Sequence, residues 1–238
     1  MEITHKHINK VLKYNGSQIE KSWAFKSFGI KGSSIITWIG PMDIYPEHLK
    51  DFEDIGLEIK SDNMIHFIVE HFDIQPANLR IAYMRQRLLV MILKEELAKN
   101  GIDSIRKGDD IYIISNSNGD LNDGADLNKL TVSIASVSIS SMKIHLGINL
   151  TSDGTPDDVD TIGLFELANN IFDNDNRDNQ DNKYNNNNNN NNINNINNIN
   201  NNNNNNNYNL MDLINNIVTN YITELVDIEL DISKTKLL

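Results

Sequence analysis

The chain has 238 residues, 39% of them hydrophobic, which is enough for a core in one large domain or two small ones. Its 21 basic and 33 acidic side chains give a net charge of −12, which excludes nonspecific binding to nucleic acid or anionic membrane, although a local basic pocket stays compatible with that balance. There is no cysteine, so disulfides, thiolate catalysis and cysteine-ligated zinc are excluded as well.

The opening "MEITHKHINK" has no apolar leader core, and the longest apolar run, "LLVMIL", is too short to span a bilayer. The expectation is a soluble, cytoplasmic protein without membrane contact. A strand-rich beginning includes "SSIITWIG" (33–40), a β-branched and aromatic run that Gly40-Pro41 should end. An acidic link follows. Ser61 then suits the N-cap of a helix over 62–73, with Ile65, Ile68, Val69 and Phe72 at helical spacing. The clearest helix covers 77–101: Leu79, Ala82, Tyr83, Leu89, Ile92 and Leu93 form its apolar face, and Gly101 ends it. "IYII" (111–114) reads as a strand, 115–128 as a variable Asn/Asp-rich loop, and 129–139 and 142–150 as strands. In the first of these strands the alternation slips by one, which suggests a bulge near Ala135 or Ser136. Helices are predicted over 161–172 and 210–230.

Between those helices, residues 185–207 hold 20 asparagines in 23 positions. Such a tract buries too little apolar surface to offset its ordering entropy, so 173–209 reads as a disordered insertion. The fold class is α+β, a mixed and largely antiparallel sheet with flanking helices. One domain should comprise 1–172 and 210–238.

The candidate site follows from the strands. A sheet of "IRKGDDIYI", "NKLTVSIAS" and "KIHLGINL" would bring Arg106, Asp109 and Asp110 to the start of the Lys129 strand. Lys143, His145, Gly147 and Asn149 would share one face of the last strand. The small residues Ser133, Ala135 and Gly147 would leave room beside Lys129 for a bound molecule. An ammonium facing such a hollow needs an anion, because an unpaired buried charge is costly. A small carboxylate or a nucleotide would supply one. Histidines 66 and 71 with Glu70 match no zinc signature, so no metal site is assigned.

The same residues carry a resemblance. The order R-K-G-D-D-I-Y, K-L-T-V-S-I-A, L-G-I-N-L resembles that of biotin protein ligases, which have K-W-P-N-D, then K-L-x-G-I, then G-I-G-I-N. It sets Arg106 at the family's first lysine, Asp110 at its aspartate, Lys129 at its ligand-contacting lysine and Asn149 at its asparagine. More of the chain is similar to a mainly archaeal family of uncharacterised proteins, through "NGSQI", "FGI.GSSI", "GP.D", "HFIVEHFD", "RQRLL" and "GDD.Y … KL.VSIA … H.GIN". The resemblance implies the fold of biotin and lipoate ligases and class II aminoacyl-tRNA synthetases. It also points to ATP-dependent carboxylate activation and acyl transfer, with ATP and Mg²⁺ as candidate cofactors, Lys129 as the catalytic cation and pairing of two copies into a homodimer.

One element departs from that pattern. The ligases' loop G-R-G-R-x-G-R, which folds over the acyl-adenylate, has no counterpart between 38 and 75. Arg85 and Arg87 are candidate anion ligands in its place, although two positions apart on a helix they face different ways. Two readings therefore stand: a ligase-like enzyme, or a noncatalytic ligand-binding or scaffold protein that keeps the fold without the closing loop.

Overall fold

The β-branched and aromatic runs all become strands, including one that the helical spacing disguised. The structure, a computed structural model, describes residues 2–114, 127–167 and 209–236. Strands β1 (Ile3–Ile8), β2 (Ser33–Asp43) and β3 (Lys60–His71) lie in a five-stranded sheet with β7 (Thr131–Val137) and β8 (Met142–Asn149). Their order is β1-β2-β3-β8-β7, with β1 and β2 parallel and every other neighbouring pair antiparallel. A second sheet of β4 (Ile105–Lys107), β5 (Asp110–Ile114) and β6 (Leu127–Lys129) is antiparallel throughout. The α-helices that lie wholly among the described residues are α1 (Trp23–Phe28), α2 (Leu79–Lys99) and α3 (Leu210–Lys234). The α+β class is as expected.

Both long helices pack on one face of the large sheet. From α2 come Leu89, Val90, Leu93 and Leu97, and from α3 Ile214, Ile217, Val218 and Tyr221. These meet Ile65, Phe67 and Val69 of β3 and Ile144, Leu146 and Ile148 of β8. Asparagine side chains cap both helices: Asn78 accepts from the Ile81 amide and Asn209 from that of Met211. Gly101, at φ +75°, turns the chain out of α2 as expected.

The opposite, outer face carries a second cluster, with Tyr14, Trp38, Met64 and Ile68 at its centre. This cluster explains the first correction. Residues 62–73 are not a helix; 60–71 form β3, with odd positions facing the helices and even positions facing the outer cluster. A strand covered on both faces reads as a continuous apolar run, in which helical spacing arises by chance.

Three further differences concern strands. β2 does not stop at Gly40-Pro41 but runs to Asp43, with a register shift between Gly40 and Met42 that absorbs the proline. There is no bulge near Ala135; β7 pairs with β8 in unbroken register from Thr131–Ile148 to Val137–Met142. The apparent slip came from apolar residues on both faces. The three strands expected in one sheet belong to two: the chain changes sheet at Leu130, whose amide donates to Ile111 and whose carbonyl accepts from Asn149.

Residues 164–167 are helical, while the rest of the helix predicted over 161–172 lies outside the described residues. So do 115–126 of the variable loop and all of the Asn-rich insertion except Asn209. Among the described residues, no helix is long and apolar enough to cross a membrane.

Gly40 fixes how the outer layer docks on the sheet. A Cβ there would collide with the Leu12 carbonyl, which also accepts the Trp38 indole N–H at 2.7 Å. Gly40→Ala should therefore push the 12–14 segment off the sheet and cost about 1–3 kcal/mol, read as a lower urea midpoint. An unchanged midpoint would show that the segment moves freely.

Candidate functional site

The residues singled out from the sequence fall into separate groups. Lys129, at the end of β6, forms an ion pair with Asp110 at the start of β5, Nζ to Oδ2 2.8 Å. Asn149 joins this knot, its Nδ2 donating to the Lys129 carbonyl at 3.5 Å. Burial pushes the Asp110 carboxyl above its usual range, with Lys129 opposing. The charge of Lys129 is thus already met within the chain. Asp54, from the acidic link between β2 and β3, is close enough to feel it too.

Asp109 belongs to a different network, on the helix side. Its Oδ1 pairs with Arg87 at 3.0 Å, and its Oδ2 accepts from Gln86 at 2.8 Å and Ser133 at 3.0 Å. This network ties α2 to the β4–β5 turn. The adjacent carboxylates of Asp109 and Asp110 are therefore committed to other partners. They do not fit a divalent cation, which would have to strip Arg87 and Lys129 from them. The room expected beside the small residues is also filled. Gln86 reaches Ser133 at 2.7 Å, Ala135 is buried in the helix-side core, and a Cβ on Gly147 would lie 2.9 Å from Met64 Cε.

Arg85 makes a two-pronged bond to Asp73, at 2.8 and 2.6 Å. Burial pushes Asp73 up, but the Arg85 hydrogen bond and charge outweigh it and hold the carboxyl below its ordinary value. Arg106 is exposed and donates to the Gly108 carbonyl two residues on.

His145 lies on the outer face in a buried imidazole pair. His66 Nε2 must donate to the Gly40 carbonyl at 3.1 Å, so its Nδ1 accepts from His145 Nε2, 3.0 Å away. Tyr14 stacks on His145 with centroids 3.7 Å apart. The third buried imidazole, His71, points the other way and pairs with the Tyr221 hydroxyl at 3.0 Å. All three are held neutral: burial draws His66 and His71 down to about 3 and His145 well below its usual value.

Two cavities open on the outer face, and neither is lined by Lys129. The first, about 340 Å³, is mainly apolar, with Ala24, Phe25, Ile30 and Phe72 around Ser22 and Glu70. The second, about 370 Å³, is basic: Lys21, Lys26, Lys50 and Lys143 line it with Ser136, against the single acid Glu20. Lys143 sits across the strand pair from Glu70, and these two residues separate the cavities. Glu70 is fully engaged. Both its oxygens accept from the Ser22 amide, at 2.8 and 3.0 Å, and Ser141 Oγ donates to it at 2.7 Å. Ser22 is held at φ +59° to make that contact, an uncommon conformation for a residue with a side chain.

Lys143 is only 4% exposed and forms no hydrogen bond or ion pair with any described residue. Burial lowers its tendency to hold a proton; Glu70 opposes this, and Lys50 and Lys21 reinforce it. The sequence reading set Lys143 on the correct face of its strand but did not single it out. The available signal was a lysine flanked by Met142 and Ile144 in a strand whose every residue is buried. Lys21, Lys26 and Lys50 left no such signal, since they come from unrelated segments.

Comparison with known proteins places the chain. A sequence family described as a domain of unknown function, DUF366, matches residues 3–188. The chain belongs to the DUF366 family. An uncharacterized protein of Methanocaldococcus jannaschii is 42% identical over 163 residues, covering 66% of this chain and 67% of that protein. A protein of unknown function from Pyrococcus horikoshi has a solved structure similar to this DUF366 chain at TM-score 0.62 and 34% identity, over 77% of this chain and 99% of that one. The apo biotin protein ligase of Aquifex aeolicus is similar at TM-score 0.49 and 10% identity, over 94% of this chain and 69% of that one.

The buried imidazoles give a signed pH dependence. Above pH 6.5 they are neutral in both the folded and the unfolded chain; as pH falls below it, only the unfolded chain takes up protons. The three together should lower the unfolding free energy by roughly 3–4 kcal/mol between pH 7 and pH 5.5. Urea unfolding at the two pH values measures this, and a flat midpoint would mean that the imidazoles take up protons in the fold.

Proposed function

We propose that this protein binds a small carboxylate- or phosphate-bearing molecule in the basic cavity on the outer face of its large sheet. The observation that carries the reading is Lys143, a largely buried lysine with no hydrogen bond or ion pair among the described residues, facing a cavity that three further lysines line. Leaving such a group unpaired is costly, and an anionic guest removes that cost. In a chain of net charge −12, four lysines against one acid here make a local trap for anions.

A thermal-shift screen of carboxylates and phosphates, with native mass spectrometry of the freshly purified chain for a retained molecule, tests this. Lys143→Met should weaken binding of any hit roughly tenfold to a hundredfold, the loss of a hydrogen bond to a charged group. Added salt should weaken the parent's binding. Identical profiles for the parent and Lys143→Met would refute the reading.

A second reading, carboxylate activation by ATP followed by acyl transfer, is favoured by the gathering of Lys129, Asp110 and Asn149 in one knot. Here Lys129 would leave Asp110 to steady the acyl-phosphate oxygens. This reading expects carboxylate-dependent exchange of pyrophosphate into ATP by the parent and none by Lys129→Ala. No exchange with any acid of a broad panel excludes it and leaves binding without activation.

A further inference from the structure

The basic cavity combines two features that simple anion binding does not require. An anion is held well by flexible, solvated ammoniums such as Lys21, Lys26 and Lys50, all exposed at the rim. Lys143 differs from them. It is the second residue of the buried strand β8, its stem is enclosed while its nitrogen faces the cavity, and its neighbouring carboxylate is occupied by Ser22 and Ser141. An amine that is desolvated and set beside other cations is the arrangement that makes lysine a nucleophile.

We propose that Lys143 forms an imine with an anionic aldehyde or ketone, while the rim lysines hold that ligand's carboxylate or phosphate. The inference rests on the anion-binding reading above and names its substrate class. The step needs no oxidant or reductant. The lone pair of the neutral amine attacks the carbonyl carbon, and a proton moves from nitrogen to the former carbonyl oxygen, giving a carbinolamine. That hydroxyl then leaves as water, taking the second N–H proton as the C=N bond forms.

The charged groups facing the amine act in a consistent direction. Lys21, just before α1, and Lys50, from the link between β2 and β3, both oppose a third positive charge, as does burial. Glu70, across the strand pair on β3, is the one group that favours protonation. Lys26 and Glu20 complete the charged lining.

The test uses the full chain and glyoxylate, a carboxylate that carries an aldehyde, with cyanoborohydride to reduce any imine, followed by peptide mapping. At pH 7.5 Lys143 should be modified severalfold faster than the exposed Lys10 and Lys236, since burial and the neighbouring lysines favour its neutral amine. Inorganic phosphate should slow labelling of Lys143 and leave Lys10 and Lys236 unaffected. Raising the pH to 9.5 should narrow the ratio between Lys143 and the exposed lysines. Labelling of Lys143 at or below the rate of Lys10 overturns the proposal. Lys143→Met should remove the fast-labelled peptide; if that variant does not fold, the rate ratio within the parent still decides. Phosphate binding is measured separately on the parent. Binding without labelling of Lys143 overturns this inference and leaves the anion-binding reading standing, whereas neither binding nor labelling overturns both.

Discussion

Burial of both faces of strands β3 and β8 governs the rest of the molecule. Every residue of β8 is buried, as are the last eight of β3, because helices α2 and α3 cover one face and the 12–30 segment covers much of the other. The helix side takes an ordinary apolar core. The outer side receives His66, Glu70, Lys143 and His145, polar groups that must each find a partner out of water. Two solutions appear. His66 and His145 satisfy each other and the Gly40 carbonyl as neutral rings, and Glu70 takes the Ser22 amide and Ser141 hydroxyl. Lys143 forms no hydrogen bond or ion pair with any described residue, and it lies beside a cavity.

The two candidate lysines differ in this respect. Lys129 and Lys143 lie at opposite ends of the β7–β8 hairpin, roughly 20 Å apart at the usual rise along a strand. Lys129 is half-buried with Asp110 against it, and the acids of the β2–β3 link lie nearby. An anion arriving there would have to displace a carboxylate. At Lys143 three further lysines face the single acid Glu20, and the neighbouring carboxylate of Glu70 is held by Ser22. A guest anion displaces no ion pair there. Electrostatics therefore favours the end of the hairpin that the motif resemblance did not mark.

Much of the fold was legible because local signals agreed with the tertiary outcome. Helix α2 carries its cap Asn78, its apolar stripe and its terminating Gly101 in the sequence, and α3 is similarly well marked. Strand β3 was not legible as a strand. Its Ile65, Ile68, Val69 and Phe72 fit helical spacing, and the deciding fact, a second apolar layer built around Tyr14 and Trp38, lies dozens of residues upstream. The same blindness applied to the site. The closeness of Asp110 to Lys129 was expected, since their strands pair. That the Asp109 carboxylate is bound by Arg87 and Gln86, and that Met64 fills the space over Gly147, depends on side chains from other elements and leaves no trace in local spacing.

The basic cavity depends on the same long-range assembly. Ser22 has a left-handed backbone where its amide reaches Glu70, and the chain on either side of that turn brings Lys21 and Lys26 to the lining of the cavity. Leaving strain in the backbone at Ser22 gains a fixed carboxylate, and fixing that carboxylate is what denies Lys143 its natural partner. Were Glu70 free to swing, the two would pair across the strands as a buried ion pair, and the cavity would lose its unmatched charge. The strained turn, the engaged acid and the free amine are thus one arrangement, and it is the outer layer, docked through Gly40, that holds it in place.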